Sequence, residues 1–128
     1  MPSKTILIID DEADNVAFVS AVLKREGFSV IAAQDGVEGV NKAVVETPDL
    51  IVLDIQMPRL NGFEVFTRLQ ETEATREIPV VMLTGIREKI GRGYSDRDVK
   101  TLLGTSPAGY LEKPVVPEEL IALVKAHA

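Results

Sequence analysis

Several polar residues of this sequence stand where short apolar runs end. Asp10 and Asp11 follow the first of these runs, and Asp54 directly follows the third. If folding brings the three carboxylates together, they repel one another and require a cation to hold them in one place. Oxygen ligands with no His or Cys nearby suit a hard ion that keeps several waters, so the pattern favours Mg²⁺ over Zn²⁺.

A hydroxyl and an ammonium group occupy equivalent places later in the chain. Thr84 follows the fourth apolar run, and Lys113 follows the last one. A metal ion and the Lys113 ammonium would neutralise the oxygens of a phosphoryl group while the Asp54 carboxylate attacks its phosphorus in line. These side chains therefore predict a phosphoryl-transfer pocket, provided that the fold places them at one edge.

The apolar runs have the length and composition of buried β-strands. They are short and rich in β-branched residues, as expected for strands that are covered on both faces. The predicted strands are Thr5 to Ile9, Phe28 to Ala33, Leu50 to Leu53, Pro79 to Leu83, and a short strand within Ala108 to Pro114.

Apolar residues recur at helical spacing between these strands. A first helix ends at Gly27, where a left-handed glycine is a natural stop. Asp35 can cap a second helix, which carries Val37, Val40 and Val44 on its apolar face. The pattern thus changes from the period of a strand to that of a helix and back again.

Two more helical patterns, one around Phe63 and one beginning at Pro117, complete the alternation. Strict alternation of strands and helices requires parallel strands joined by right-handed crossovers, with helices on both faces of the sheet. The predicted fold class is therefore α/β, a doubly wound five-stranded parallel sheet. Ligands of such sheets bind outside the carboxyl ends of the strands, which is where all the polar residues above are expected to lie.

Length and composition indicate a single domain that spans residues 1–128. Hydrophobic residues make up 45% of the chain and charged residues 27%, which is the composition of a globular protein. The net charge of -6 argues against a direct nucleic-acid partner, because such surfaces concentrate Lys and Arg. No apolar run approaches the roughly 18 residues that cross a bilayer. We therefore expect a soluble, cytoplasmic protein without membrane insertion.

Four sequence motifs resemble those of a known family. In chain order they are ILIIDDEADN, LDIQMPRLNGFE, VVMLTG and YLEKP. With these motifs the chain resembles the receiver domain of a bacterial two-component response regulator, of the CheY-like family, over nearly its whole length. The resemblance implies a flavodoxin-like sheet with strand order 2-1-3-4-5.

The resemblance also implies a role for each acidic residue. Asp54 would be the phosphoacceptor of a phosphorelay. Asp11, Asp54 and the backbone carbonyl of Gln56 would bind Mg²⁺. Asp10 would support the metal, either by binding it directly or by contacting its ligands.

Other residues would hold and report the modification. By the same resemblance Thr84 and Lys113 would bind the phosphoryl oxygens, and Tyr110 would turn inward when the Thr84 hydroxyl moves to the phosphoryl group. The donor would be a sensor histidine kinase, a histidine phosphotransfer protein or a small acyl phosphate. The domain would catalyse only its own phosphorylation and slow dephosphorylation. We therefore expect a signalling domain rather than an enzyme, acting on an output protein or an output domain elsewhere.

Two other functions stay open. A Mg²⁺-dependent phosphohydrolase also forms an aspartyl phosphate, but it would typically carry a second Asp two residues after Asp54, where Gln56 stands. A pseudo-receiver would be a docking module that never turns over phosphate, and it is disfavoured because every chemical residue is present. Taken singly, Thr84 could simply end its strand and Tyr110 could serve only packing.

The segment after the fourth strand departs from the family pattern. The stretch from Thr84 to Lys113 is roughly one or two helical turns longer than receivers normally use. The extra length falls in Gly85 to Lys100, where glycines and charges predict a loop and weaken the helix expected there. A tolerated surface insertion and a specific partner contact are both compatible with this segment.

Overall fold

A computed structural model of the protein describes residues 3–55, 57, 61–84 and 107–128. The predicted extension at Gly85 to Lys100 lies outside these residues. In the described part, five strands form one parallel sheet in the order β2-β1-β3-β4-β5. The strands are β1 (Thr5–Ile9), β2 (Ser29–Ala33), β3 (Leu50–Asp54), β4 (Val80–Thr84) and β5 (Gly109–Glu112). The predicted doubly wound fold and its strand order are confirmed.

The strand ends differ slightly from the sequence prediction. Asp54 and Thr84 are themselves the last residues of β3 and β4, rather than the first residues after them. Every residue of β3 is buried, because both of its neighbours are strands and both of its faces are covered by helices. Asp54 is therefore held on the most enclosed strand of the sheet that the structure describes.

Helices pack on both faces of the sheet. Within the described ranges they are α1 (Ala13–Arg25), α2 (Gly36–Glu46), α3 (Gly62–Glu71) and α4 (Pro117–His127). Apolar residues of α1 and α4 share one buried cluster with Leu50 and Val52 of β3. Apolar residues of α2 and α3 belong to a second cluster with Ile51 and Leu53. The side chains of β3 thus alternate between two separate cores, as the period of a strand requires.

The first helix ends as its sequence predicts. Gly27 has a φ of 94°, a conformation that glycine adopts without steric cost. Its N–H donates to the Lys24 carbonyl at 3.0 Å, and the N–H of Phe28 donates to the Leu23 carbonyl at 3.1 Å. These two hydrogen bonds form a Schellman motif, which satisfies carbonyls at the end of α1.

The buried face of α2 differs from the predicted one. Asp35 caps the helix as expected, but Val37 and Val44 are exposed and Val40 is only partly buried. Small residues face the sheet instead, namely Gly36, Gly39 and Ala43. A Cβ atom at Gly39 would lie 2.6 Å from the Ile9 Cδ1 atom, so this helix packs too closely for larger side chains.

No helix in the described ranges has both the length and the apolar character needed to cross a membrane.

Candidate functional site at the carboxyl edge of the sheet

Asp10 and Asp54 lie at the carboxyl ends of two neighbouring strands. Asp10 follows β1 and Asp54 ends β3, and the two strands run parallel with Ile9 opposite Leu53. Each aspartate is only 1% exposed. Two buried carboxylates at adjacent strand ends carry a large desolvation cost unless positive charge or hydrogen-bond donors lie close by.

Hydrogen bonds fix the Asp10 side chain in the turn between β1 and α1. Its Oδ1 atom accepts the backbone N–H of Glu12 at 2.9 Å, and its Oδ2 atom accepts a hydrogen bond from the Asn15 amide. The backbone N–H of Asp10 donates to the Ala33 carbonyl at 3.1 Å. Both oxygens of Asp10 therefore have defined orientations before any ligand binds.

Lys113 supplies positive charge to this edge. Its Nζ atom lies 2.7 Å from the Glu12 Oε1 atom, 3.3 Å from the Asp54 Oδ2 atom and 3.5 Å from the Asp10 Oδ2 atom. Its backbone N–H donates to the Thr84 carbonyl at 2.8 Å, which fixes the loop after β5 against the end of β4. One ammonium group thus contacts three carboxylates.

The surroundings of Lys113 shift its acidity. Partial burial is the largest influence and would lower the pKa of the ammonium, because a charged group loses hydration. The hydrogen bond to Glu12 and the negative charges of Asp54, Asp10 and Glu12 act in the opposite direction and together outweigh it. The pKa of Lys113 is therefore raised, and the side chain is charged at neutral pH.

The three carboxylates form a cluster with the composition of a hard-cation site. Asp10, Glu12 and Asp54 each offer one oxygen, and these oxygens lie within 4.8 Å of one another. Three negative charges against the single positive charge of Lys113 leave an excess of two, which a divalent cation would balance. All the ligand atoms are oxygens, which suits Mg²⁺.

The cluster differs in one member from the sequence prediction. Glu12 belongs to it. From this stretch the sequence predicts only Asp10 and Asp11, the acidic pair before it. Asp11 is exposed and lines a cleft of about 390 Å³ beside α1, together with Asp10. Gln56 lies outside the described residues. The metal-binding roles of Asp11 and Gln56 therefore stay predictions.

Thr84 lies on β4, the neighbour of β3, and Tyr110 lies on β5, the next strand of the sheet. Thr84 is half-buried at the end of β4, opposite Glu112, and it shares this sheet edge with Asp54. Tyr110 is paired with Met82 on β5, and its half-buried ring packs against the cluster under α2 and α3. Thr84 is thus placed as predicted, and the packing of Tyr110 is compatible with both of its proposed roles.

Gly62 lets α3 begin directly against the end of β3. Its N–H donates to the Ile55 carbonyl at 2.8 Å. Before it, Asn61 caps α3, and Asn61 and Glu64 exchange side-chain to backbone hydrogen bonds in a capping box. A Cβ atom at position 62 would lie 2.6 Å from the Asp54 carbonyl oxygen. Backbone this close leaves room for glycine alone.

Replacing Gly62 with alanine is therefore expected to displace the backbone of Asp54. The free energy of unfolding should fall by about 2–3 kcal/mol, as overpacking of a close contact does. Chemical denaturation measures this loss. The matched control is Gly27→Ala, where nothing lies within 4 Å and only the positive φ is unfavourable. We expect a cost of about 1 kcal/mol there, and equal losses at both positions would contradict the close-contact explanation.

Comparison with known proteins identifies the family of this chain. The model of the response regulator receiver domain matches residues 6–125, which include all the residues of the site. The chain belongs to the response regulator receiver domain family. The receiver is thus a signalling domain of two-component systems, and neither the phosphohydrolase nor the pseudo-receiver alternative is favoured.

Two curated relatives illustrate the similarity in sequence. The receiver is 40% identical over 124 residues to the alkaline phosphatase synthesis transcriptional regulatory protein PhoP of Bacillus subtilis, covering 97% of this chain and 48% of PhoP. It is 37% identical over 124 residues to the phosphate regulon transcriptional regulatory protein PhoB of Escherichia coli, covering 97% of this chain and 51% of PhoB. The receiver spans about half the length of the curated relatives it matches.

Solved structures share the whole fold. The chemotaxis protein CheY4 of Vibrio cholerae superimposes with a TM-score of 0.83 at 26% identity, covering 99% of this chain and 100% of CheY4. The receiver domain of the sensor histidine kinase PA1611 of Pseudomonas aeruginosa, solved with a magnesium ion in its active-site cleft, gives a TM-score of 0.82 at 25% identity, with 98% of each chain covered. The CheY-like fold expected from the sequence is therefore confirmed.

Proposed function

We propose that Asp54 of this receiver accepts a phosphoryl group from the phosphohistidine of a sensor histidine kinase or a histidine phosphotransfer protein. The observation that supports this most directly is the surroundings of the Asp54 carboxylate. It is buried at the end of β3, 3.3 Å from the Lys113 ammonium and grouped with the carboxylates of Asp10 and Glu12. A nucleophile held rigidly beside positive charge needs little reorganisation to react.

The transfer forms a bond between an Asp54 oxygen and phosphorus and breaks the bond from phosphorus to the donor imidazole, whose nitrogen takes a proton from solvent. The Lys113 ammonium is close enough to Asp54 to bind an oxygen of the transferred group. The Thr84 hydroxyl, at the end of the next strand, would donate a hydrogen bond to another oxygen. Both groups would stabilise charge that the transition state spreads over the phosphoryl oxygens.

Mg²⁺ fits the acidic part of this site. Asp10 and Asp54, with Asp11 and the Gln56 carbonyl as further candidates, would hold the ion, and Glu12 lies within reach of the same place. When bound, the ion would neutralise negative charge on the phosphoryl oxygens. The magnesium in the cleft of the PA1611 receiver domain supports this assignment.

Phosphorylation would change the surface that the receiver presents. The added charge would draw Thr84 toward the phosphoryl group and favour an inward position of Tyr110, reshaping the face near β5 and α4. The output would lie in a partner protein or in a further domain, since PhoP and PhoB are transcriptional regulators about twice as long as this chain. Residues 1–128 would act as one cytoplasmic receiver that does not contact nucleic acid itself.

Incubation with acetyl phosphate tests this function. In the presence of Mg²⁺, intact-mass spectrometry should show a gain of one phosphoryl group, and hydroxylamine should remove it because the product is an acyl phosphate. Chelation of the metal with EDTA before the donor is added should prevent the gain. A modification that survives hydroxylamine, or one that forms equally well with EDTA, would argue against a Mg²⁺-dependent aspartyl phosphate.

A further inference from the structure

The shortest contact of the Lys113 ammonium is to the most exposed of its three carboxylates. Its hydrogen bond to Glu12 measures 2.7 Å, whereas the distances to Asp54 and Asp10 are 3.3 Å and 3.5 Å. The side chain of Glu12 is 63% exposed, and those of Asp10 and Asp54 are almost fully buried. Lys113 therefore makes its shortest described contact with the carboxylate at the surface of the site, while it stays within ion-pair distance of Asp54.

Both ends of this contact are anchored by the backbone. Glu12 is the N-cap residue of α1, and its carbonyl accepts the N–H of Val16 at 3.0 Å. Its own N–H donates to Asp10, and the N–H of Lys113 donates to Thr84. The Glu12 side chain makes no capping hydrogen bond to α1. It is used instead to join the start of α1 to the loop after β5, across 101 positions of sequence.

We propose that Glu12 holds the Lys113 ammonium in the unphosphorylated receiver and competes with the incoming phosphoryl group for it. An ammonium has three N–H donors, and the one given to Glu12 cannot serve a phosphoryl oxygen until this ion pair opens. A phosphoryl group on Asp54 brings a charge of about -2 and several acceptor oxygens, which outcompete an exposed carboxylate. Glu12 thus acts on the reaction through Lys113, as a positioning residue.

This role depends on the proposed phosphorylation of Asp54, and it predicts a receiver that reacts faster without the contact. With acetyl phosphate at saturating Mg²⁺, Glu12→Gln should be phosphorylated about two- to fivefold faster than the parent, because exposed ion pairs are weak. The matched control is Asp14→Asn, which removes one exposed acid from the same stretch. A rate for Glu12→Gln no higher than that of Asp14→Asn would overturn the proposal.

A second variant separates the contact from the charge. Glu12→Asp keeps the negative charge but shortens the side chain by one methylene, so it should lose its reach to Lys113 and also react faster than the parent. If only Glu12→Gln is faster, the gain comes from weaker repulsion of the anionic donor. If both variants are slower and need more Mg²⁺ for half-maximal rate, Glu12 is a metal ligand. Either result would overturn the competition with the phosphoryl group.

A double-mutant cycle tests the contact without any phosphoryl donor. Unfolding of the unphosphorylated parent, Glu12→Gln, Lys113→Gln and the double variant should reveal a coupling of about two- to fivefold in the unfolding constant. Absence of coupling would overturn the holding role of Glu12 even if Asp54 is phosphorylated normally. If the cycle shows the coupling but the parent takes no phosphoryl group, the function proposed for Asp54 fails while the holding role of Glu12 stands. The two failures are therefore distinguishable.

Discussion

Asp54→Asn should take no labile phosphoryl group from acetyl phosphate under conditions in which the parent is fully modified. The amide that replaces the carboxylate has no nucleophilic oxygen to form the acyl phosphate. Because Asp54 is buried at the end of β3 and close to Lys113, no other carboxylate of the cluster has the same rigid placement on a strand. Intact-mass spectrometry with and without hydroxylamine measures the difference.

Asp54→Asn also removes one negative charge, so it needs a control with the same change of charge elsewhere. Asp14→Asn makes the same chemical change at an exposed position of α1 and should be phosphorylated like the parent. Cooperative thermal unfolding of Asp54→Asn would establish that the fold persists. A hydroxylamine-sensitive mass gain in Asp54→Asn equal to that of the parent would place the phosphoacceptor at another residue.

Lys113→Gln should reduce the phosphorylation rate by a factor of about 10²–10³, the usual effect of removing a group that stabilises charge in a transition state. Glutamine is close to lysine in length but brings no charge to the phosphoryl oxygens. The initial rate of mass gain at saturating Mg²⁺ measures this loss. Lys125→Gln is the matched control, since Lys125 pairs only with Glu26, at 2.9 Å, on the surface of α4 among the described contacts. A rate for Lys113→Gln within about twofold of the control would exclude a role in the transfer.

The same variant should also be less stable at neutral pH. Without the ammonium, the carboxylates of Asp10, Glu12 and Asp54 face one another uncompensated. We expect the unfolding free energy to fall by about 1–2 kcal/mol, less than at a fully buried pair because Lys113 keeps part of its surface in water. Addition of Mg²⁺ should recover part of the loss.

The pH dependence of this deficit follows from the raised pKa of Lys113. A raised pKa in the folded state means that the charged lysine stabilises the parent below the ordinary lysine pKa, which is about 10.4, as long as the neighbouring carboxylates are ionised. That contribution disappears as the pH rises through the higher folded-state value. The difference between parent and Lys113→Gln should therefore persist at neutral pH and shrink only in strong alkali, or in acid once the carboxylates are protonated. Urea denaturation across this range checks both limits.

Much of the site could be predicted because its residues stand at strand ends. Parallel strands bring their carboxyl ends to one edge, so the places of Asp10, Asp54, Thr84 and Lys113 followed from the alternation of strands and helices. Placing the strands needed only short apolar runs whose limits are clear in the sequence. An error of one residue at the ends of β3 and β4 did not change which edge their polar residues occupy.

The contribution of Glu12 could not be predicted in the same way. Three acids follow β1 in succession, and which of them point inward depends on the turn into α1. That turn is fixed by the hydrogen bonds of Asp10 to the Glu12 N–H and to Asn15, which are properties of the folded loop. The only sequence signal was that Glu12 precedes α1 directly and has a side chain long enough to reach across the edge.

The prediction that valines form the buried face of α2 was wrong for Val37 and Val44, whereas Val40 does pack against the core, and the reason is related. Hydrophobic periodicity selected Val37, Val40 and Val44, but the helix buries its small residues. Periodicity ranks residues by their apolar character and takes no account of how close two elements approach. Beside Ile9 the helix lies so close to the sheet that glycine packs better than valine, and hydrophobic periodicity carries no information about this distance.

The order of the strands also determines when the site is completed during synthesis. β1 lies between β2 and β3, and all three strands precede β4 and β5 in the chain, so the strands that place the acidic side chains are synthesised before β5. Lys113 follows β5, which comes last in the chain among the five strands of the described sheet and lies at its edge beyond β4. A nascent receiver that folds from its amino terminus therefore gathers its negative charges first. It acquires the balancing ammonium only when β5 pairs with β4, so translation must pass that strand before the receiver has a complete site.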